Sequence, residues 1–303
     1  MKDSKKEQAF DFDLLYDQIV VPHFGDLEKN DTRRKNSSYS VSDICKSGFA
    51  VYSLKSSSLL DFRPKTAAEE SNLKSCFQIK TIPSDNGLRK ILDTIDSSKM
   101  RTVFAKTTAY LEKHGVLQNY QILEGHNIIS VDGVHHYSSK KVKCNCCLEK
   151  RHRDGSITYS HSMLSAAIVH PKKAEVFIVE NEPIIQQDGD NKNDCECNAA
   201  KRLLERMAKL YSSKPVIYAM DALYACAPII ELIHQCSAKW KYIINCKEKG
   251  HKNLFKQFDQ LNDQGKVSWK NWRRKDGTYE VGFVNNLSLN ASNKDTKVNM
   301  IIL

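Results

Sequence analysis

The chain has 303 residues, 41% hydrophobic and 27% charged, which is the make-up of a water-soluble globular protein long enough for two or three domains. No run approaches the roughly 18 apolar residues of a membrane-spanning helix, and Met1-Lys2-Asp3-Ser4-Lys5-Lys6-Glu7 lacks the apolar core of a secretion signal. A cytoplasmic protein without a membrane partner is expected, and the net charge of +10 favours a polyanionic partner over a neutral one. In that compartment the ten cysteines should be reduced thiols.

Residues 1–120 read as a mainly helical region, a candidate for DNA binding. A short apolar helix is expected over 11–21, and the rest of the first 60 residues shows no clear periodicity. Leu88, Ile91, Leu92 and Ile95 recur at helical spacing behind Ser84 and Asp85, which can cap a helix start. Met100, Val103, Phe104, Thr107 and Leu111 mark a second helix, punctuated by Gly115 and Gly125.

The texture changes at about residue 126. Ile128 to Val131 reads as a buried strand that ends at Asp132. A polar, basic, cysteine-bearing stretch follows over 134–157. Strands are expected over 159–170 and 174–179, joined by the turn Pro171-Lys172-Lys173. After a loop rich in Asp, Asn and Gly, Asn193 and Glu196 resemble a capping box opening a helix whose apolar face is Ala200, Leu203, Leu204, Met207 and Tyr211. Pro215 to Met220 is a strand ending at Asp221, Pro228 opens another helix, and a strand covers 240–246. The order β-β-β-α-β-α-β mixes a meander with crossovers, so 126–249 is an α/β domain with a mixed sheet and flanking helices. Residues 250–303 read as a β-rich insertion with a hairpin turn at Asp276-Gly277, and the pattern suggests a chain cut off within it.

Ligands gather at the carboxyl ends of strands in open sheets, where Asp132 and Asp221 both fall. An aspartate at a strand end is more often a turn former, so each alone is a weak signal. Paired, they suit a hard cation such as Mg²⁺, which prefers oxygen ligands, and phosphoryl transfer commonly uses two such ions about 4 Å apart. Lys140, Lys141, Lys143, Lys150, Arg151 and Arg153 follow Asp132, and Lys270, Arg273, Arg274 and Lys275 interleave with Trp269 and Trp272. Such residues neutralise phosphates and stack on bases, or form a solvated face with tryptophans packed beneath it.

Three stretches carry a resemblance: Ile128-Ile129-Ser130-Val131-Asp132-Gly133, the run from Asn193-Asp194-Cys195-Glu196-Cys197 to Asn198-Ala199-Ala200-Lys201-Arg202, and Tyr218-Ala219-Met220-Asp221-Ala222-Leu223-Tyr224. Together they resemble bacterial insertion-sequence DDE transposases, over about residues 75–300. The resemblance implies an RNase H-like core and a β-strand insertion matching 250–303. It makes Asp132 and Asp221 ligands of a two-Mg²⁺ site. It also implies action on double-stranded DNA at transposon ends and target sites, by a homodimer. The family's third ligand, a Glu on a helix after the insertion, has no counterpart here. Glu248 and Glu280 are wrongly placed, so the third acidic ligand is unknown and impaired activity is expected. A nuclease on the same core, an inactive DNA-binding remnant and a zinc-stabilised nucleic-acid module are the alternatives.

Cys144-x-x-Cys147, with Cys146 between, invites a zinc reading that Cys195, Cys197, His152 or His161 would have to complete. The two cysteine pairs differ in spacing, and zinc is not expected. His135 and His136 are assigned no role.

Overall fold

The structure is a computed structural model and describes residues 11–33, 37–185, 195–274 and 276–303. The chain divides into two compact units, one ending at Val116 and the other running from Leu117 to Leu303.

The described part of the first unit is helical. Its helices are α1 (Phe12–Leu15), α2 (Val21–Lys29), α3 (Val41–Ser53), α4 (Ala67–Cys76), α5 (Asp85–Leu92) and α6 (Arg101–Lys113). A π-helical turn, Tyr16–Val20, joins α1 to α2. Side chains of Asp11, Ser40, Thr66 and Ser84 each accept an amide of the following first turn, the usual remedy for unpaired donors at a helix start. Tyr16, Val20, Phe24, Ile44, Ala50 and Leu88 share one core.

Helix α3 lies where the sequence shows no periodicity, for a physical reason. Its inward face carries polar residues, which blur the amphipathic pattern. Asp43 is buried and accepts the Lys80 and Thr81 amides at 3.0 and 2.9 Å. Lys46 is buried too, and its Nζ donates to the Gln78 carbonyl at 3.0 Å. Buried polar groups are tolerated when paired in this way.

The second unit is a mixed α/β arrangement. It begins with β1 (Gln121–Ile122), β2 (His126–Ser139), β3 (Leu148–Arg151), β4 (Ile157–Val169) and β5 (Phe177–Ile184). It continues with α7 (Glu196–Tyr211), β6 (Val216–Met220), α8 (Ala227–Cys236) and β7 (Trp240–Ile244). The main sheet runs β3-β4-β2-β6-β7, with β5 beside the far end of β4. Strand β2 is antiparallel to β4 and parallel to β6. Ala199, Ala200, Leu203, Leu204, Met207 and Tyr211 of α7 are all buried, as the helical spacing requires.

Two expectations are corrected here. Strand β2 does not end at Asp132 but continues seven residues further, to Ser139. What ends beside Asp132 is its parallel partner β6, whose last pairing is Met220 with Val131. The extension stays paired on one side only, against β4, so its residues lack the apolar signature of a buried strand. Likewise, α7 starts at Glu196 with Cys195 as its cap residue, and the proposed capping partner Asn193 lies outside the described residues.

Residues 250–303 hold a helix as well as strands: α9 (Lys252–Asp263), β8 (Ser268–Arg274), β9 (Gly277–Ser288) and β10 (Lys297–Ile302). The three strands form their own antiparallel sheet, and Arg274 pairs with Gly277 across the expected hairpin. Leu254 and Phe258 of α9 pack with Ala227 and Ile230 of α8 and with Val284, Val298 and Met300 of the small sheet. Among the described residues no helix is long and apolar enough to cross a membrane.

Candidate active site

The register of the main sheet brings the two aspartates together. Val131 and Met220 are the last paired residues of β2 and β6, so Asp132 and Asp221 follow side by side. Neighbouring strands lie about 4.8 Å apart, which sets the scale of their backbone separation. Val131 and Met220 are buried, and side chains alternate along a strand. Asp221 keeps extended backbone, at φ −80° and ψ 179°. Both carboxylates therefore stand on the other face from Val131 and Met220, and both are exposed. Asp132 also pairs with Ser165 of β4, and Ser165 pairs with Asn181 of β5, which accepts its hydroxyl at 2.7 Å. A polar row of Asn181, Ser165, Asp132 and Asp221 thus crosses four strands.

Each aspartate is oriented by its own backbone. The Gly133 amide donates to Asp132 Oδ1 at 2.8 Å, and the Leu223 amide donates to Asp221 Oδ1 at 2.9 Å. The second bond caps the 3-10 turn Ala222–Tyr224 that follows β6. Each carboxylate keeps its second oxygen, the hard donor a cation such as Mg²⁺ prefers.

A residue given only a capping role in the sequence has a larger part. Glu196, at the first turn of α7, lies over Gly133. A Cβ built on Gly133 would sit 2.9 Å from Glu196 Oε1 and 3.1 Å from Oε2. Tyr224 donates its hydroxyl to Glu196 Oε2 at 3.2 Å. Burial, and after it the Glu196 carboxylate, push the Tyr224 hydroxyl far above the usual tyrosine range, so it stays a donor. Gly133 and Asp132 point to opposite faces of β2, so Glu196 braces the site from behind. It ties the turn after Asp221 to the strand carrying Asp132. Helix α7 is itself anchored: Arg202 Nε and Arg206 each meet the buried Glu182 of β5 at 2.6 Å.

The predicted basic residues fall in two groups on separate sheets. Lys140, Lys141 and Lys143 lie between β2 and β3, Arg151 ends β3, and Arg153 is in the turn to β4; all are exposed. Lys143 Nζ stands 5.2 Å from the Tyr159 ring centroid. Lys270, Arg273 and Arg274 are exposed on β8, and Lys275 lies outside the described residues. The two tryptophans differ. Trp269 covers Gly282, bonds to Asn262 through its indole N–H at 2.9 Å and packs edge-on to Phe258. Trp272 is 49% exposed and carries the Arg274 guanidinium 4.8 Å above its ring. Glu248 follows β7 in a 3-10 turn and Glu280 lies on β9, positions that match the reading of the sequence.

Among the described residues, the one group of three or more potential metal ligands within mutual reach is Cys144, Cys147 and His161. Cys197 instead turns its thiol toward the Leu223 carbonyl, at 3.6 Å.

No family model and no curated protein matches the chain. Among solved structures, it is similar to a chain of the cryo-EM structure of a piggyBac transposase synaptic complex with hairpin DNA, at a TM-score of 0.39 and 10% identity. The similarity covers 97% of this chain and 61% of that one, so this chain spans less than two thirds of that protein's length.

Proposed function

We propose that this chain carries the core of a DDE-type DNA transposase, with Asp132 and Asp221 as metal-binding carboxylates. The observation that carries the reading is their placement as neighbours on one sheet face, immediately past the last β2–β6 pair. The sheet order β5-β4-β2-β6-β7, antiparallel across its first two pairings and parallel across its last two, supports an RNase H-like core. The resemblance of the three sequence stretches supplies the reaction: phosphodiester hydrolysis, then strand transfer, at the ends of a mobile element.

The donor set fits Mg²⁺, since both side chains offer hard oxygen and both are exposed. When bound, the metal supplies Lewis-acid stabilisation of the phosphoryl oxygens and an acidified water. The protein's own part is orientation. The Gly133 and Leu223 amides fix the two carboxylates, and Glu196 with Tyr224 holds the turn after Asp221. Exposed lysines and arginines on β8 and between β2 and β4 neutralise phosphates, a sequence-independent and salt-sensitive contribution to DNA binding.

A second reading has its own support. Among the described residues no third carboxylate shares mutual ligand distance with the pair. A DNA-binding protein without strand cleavage is consistent with that. Nicking of supercoiled DNA in Mg²⁺, compared between wild type, Asp132→Ala and Asp221→Ala, separates the two. The proposal expects both variants to lose at least about a hundredfold of the activity. Equal nicking by all three proteins sinks it, and salt-dependent DNA binding with no nicking in any of them favours the second reading.

A further inference from the structure

Cys144 and Cys147 lie in the connection from β2 to β3, and His161 lies on β4, opposite Tyr137. The two sulfurs are 3.7 Å apart, and His161 Nε2 is 3.2 Å from Cys144 Sγ and 3.3 Å from Cys147 Sγ. A tetrahedral zinc with Zn–S of about 2.3 Å and Zn–N of about 2.0 Å requires S···S near 3.8 Å and S···N near 3.5 Å. The three observed separations match that triangle to within about 0.3 Å of the ideal values.

Hydrogen bonding among neutral groups accounts for the cluster poorly. A neutral imidazole nitrogen has one in-plane lone pair, yet both thiols converge on the same Nε2. Two backbone amides also point at the sulfurs: Cys146 N–H at Cys144 Sγ, 3.4 Å, and Cys144 N–H at Cys147 Sγ, 3.3 Å.

We propose that Cys144, Cys147 and His161 form a zinc site. Binding releases the two thiol protons to solvent, and two thiolates then balance the charge of Zn²⁺. Three protein ligands leave a fourth position, which water fills on the side of the exposed Cys144. The site is separate from the aspartates. His161 lies four residues along β4 from Ser165, the partner of Asp132, or about 13 Å at strand rise. Its effect is to pin the turn at 144–147 to β4, which fixes the segment that carries Lys140, Lys141 and Lys143.

The test is metal content of the purified full-length chain, by mass spectrometry, together with the absorption spectrum after Co²⁺ replacement. Wild type is expected to hold about one zinc per chain and to give thiolate-to-cobalt charge-transfer bands. Cys144→Ser, Cys147→Ser and His161→Ala should each lose the zinc, Cys76→Ser should keep it, and His161→Cys should retain it by supplying a third thiolate. Wild type that takes up no zinc on reconstitution, or cobalt spectra without thiolate bands, overturns the site without reference to any variant's folding. Full zinc content in both serine variants at 144 and 147 overturns it as well.

Discussion

Replacing Gly133 by alanine tests the brace behind the aspartates directly. The added Cβ would lie 2.9 Å from Glu196 Oε1, 3.0 Å from its Cδ and 3.1 Å from Oε2, and the carboxylate has to swing away. The bond from the Tyr224 hydroxyl, at 3.2 Å, is then lost. Tyr224 is wholly buried, and a buried hydroxyl left without its partner costs about 1–3 kcal/mol. Alanine in place of glycine within a strand offsets about 0.5–1 kcal/mol of that. The expected net loss is about 1 kcal/mol in urea unfolding. The informative measurement is the double-mutant cycle. In a Tyr224→Phe background there is no bond left to break, so Gly133→Ala should become neutral or slightly stabilising. A coupling of about 1–2 kcal/mol is expected between the two positions. If Gly133→Ala has the same cost in both backgrounds, the brace as described is wrong.

Three other outcomes follow from the geometry. Glu182→Ala removes the acceptor that Arg202 and Arg206 share, while Arg206 keeps Glu180 at 3.6 Å, and should cost about 1.5–3 kcal/mol in urea unfolding; a loss below about 0.5 kcal/mol would mean that Glu182 does not anchor α7. His23 is buried in α2, and burial, then the Lys106 charge, hold its pKa below the ordinary histidine value. The unfolded chain therefore takes up this proton first, so stability is intact above the ordinary value and falls as pH drops through it toward the folded value. The acid-side slope of stability between pH about 7.5 and 5.5 should flatten in His23→Gln, and an unchanged slope contradicts the assignment. Arg273→Ala with Arg274→Ala should weaken DNA binding evenly across sequences and reduce the slope of log affinity against log salt by roughly 2, whereas an unchanged slope removes β8 from the interface.

Much of the second unit was legible in the sequence because its elements bury whole faces. Helix α7 shows its inward residues at helical spacing, and β6 is a short apolar run between a proline and an aspartate. The polar hairpin extension of β2 beyond Asp132 was not legible, since a backbone ladder with β4 holds it and hydrophobic side chains do not. Helix α3 escaped notice because Asp43 and Lys46 occupy core positions that only their distant partners at 78–81 make tenable. Helix α9 carries Leu254, Phe255, Phe258 and Leu261 at helical spacing, a signal that the reading of 250–303 as β-rich passes over.

By itself the sequence determined the alternation of elements in the mixed sheet and the two aspartates as its chemically suggestive residues. Only the tertiary structure decided their company. Strand register placed Asp132 beside Asp221, a choice that a one-residue slip would reverse by turning one side chain to the other face. Packing of α7 over a residue without a side chain turned Glu196 from a helix-start residue into a brace. The pairing of Tyr137 with His161 carried an imidazole to two cysteines 14 and 17 residues away, a meeting that no local spacing encodes.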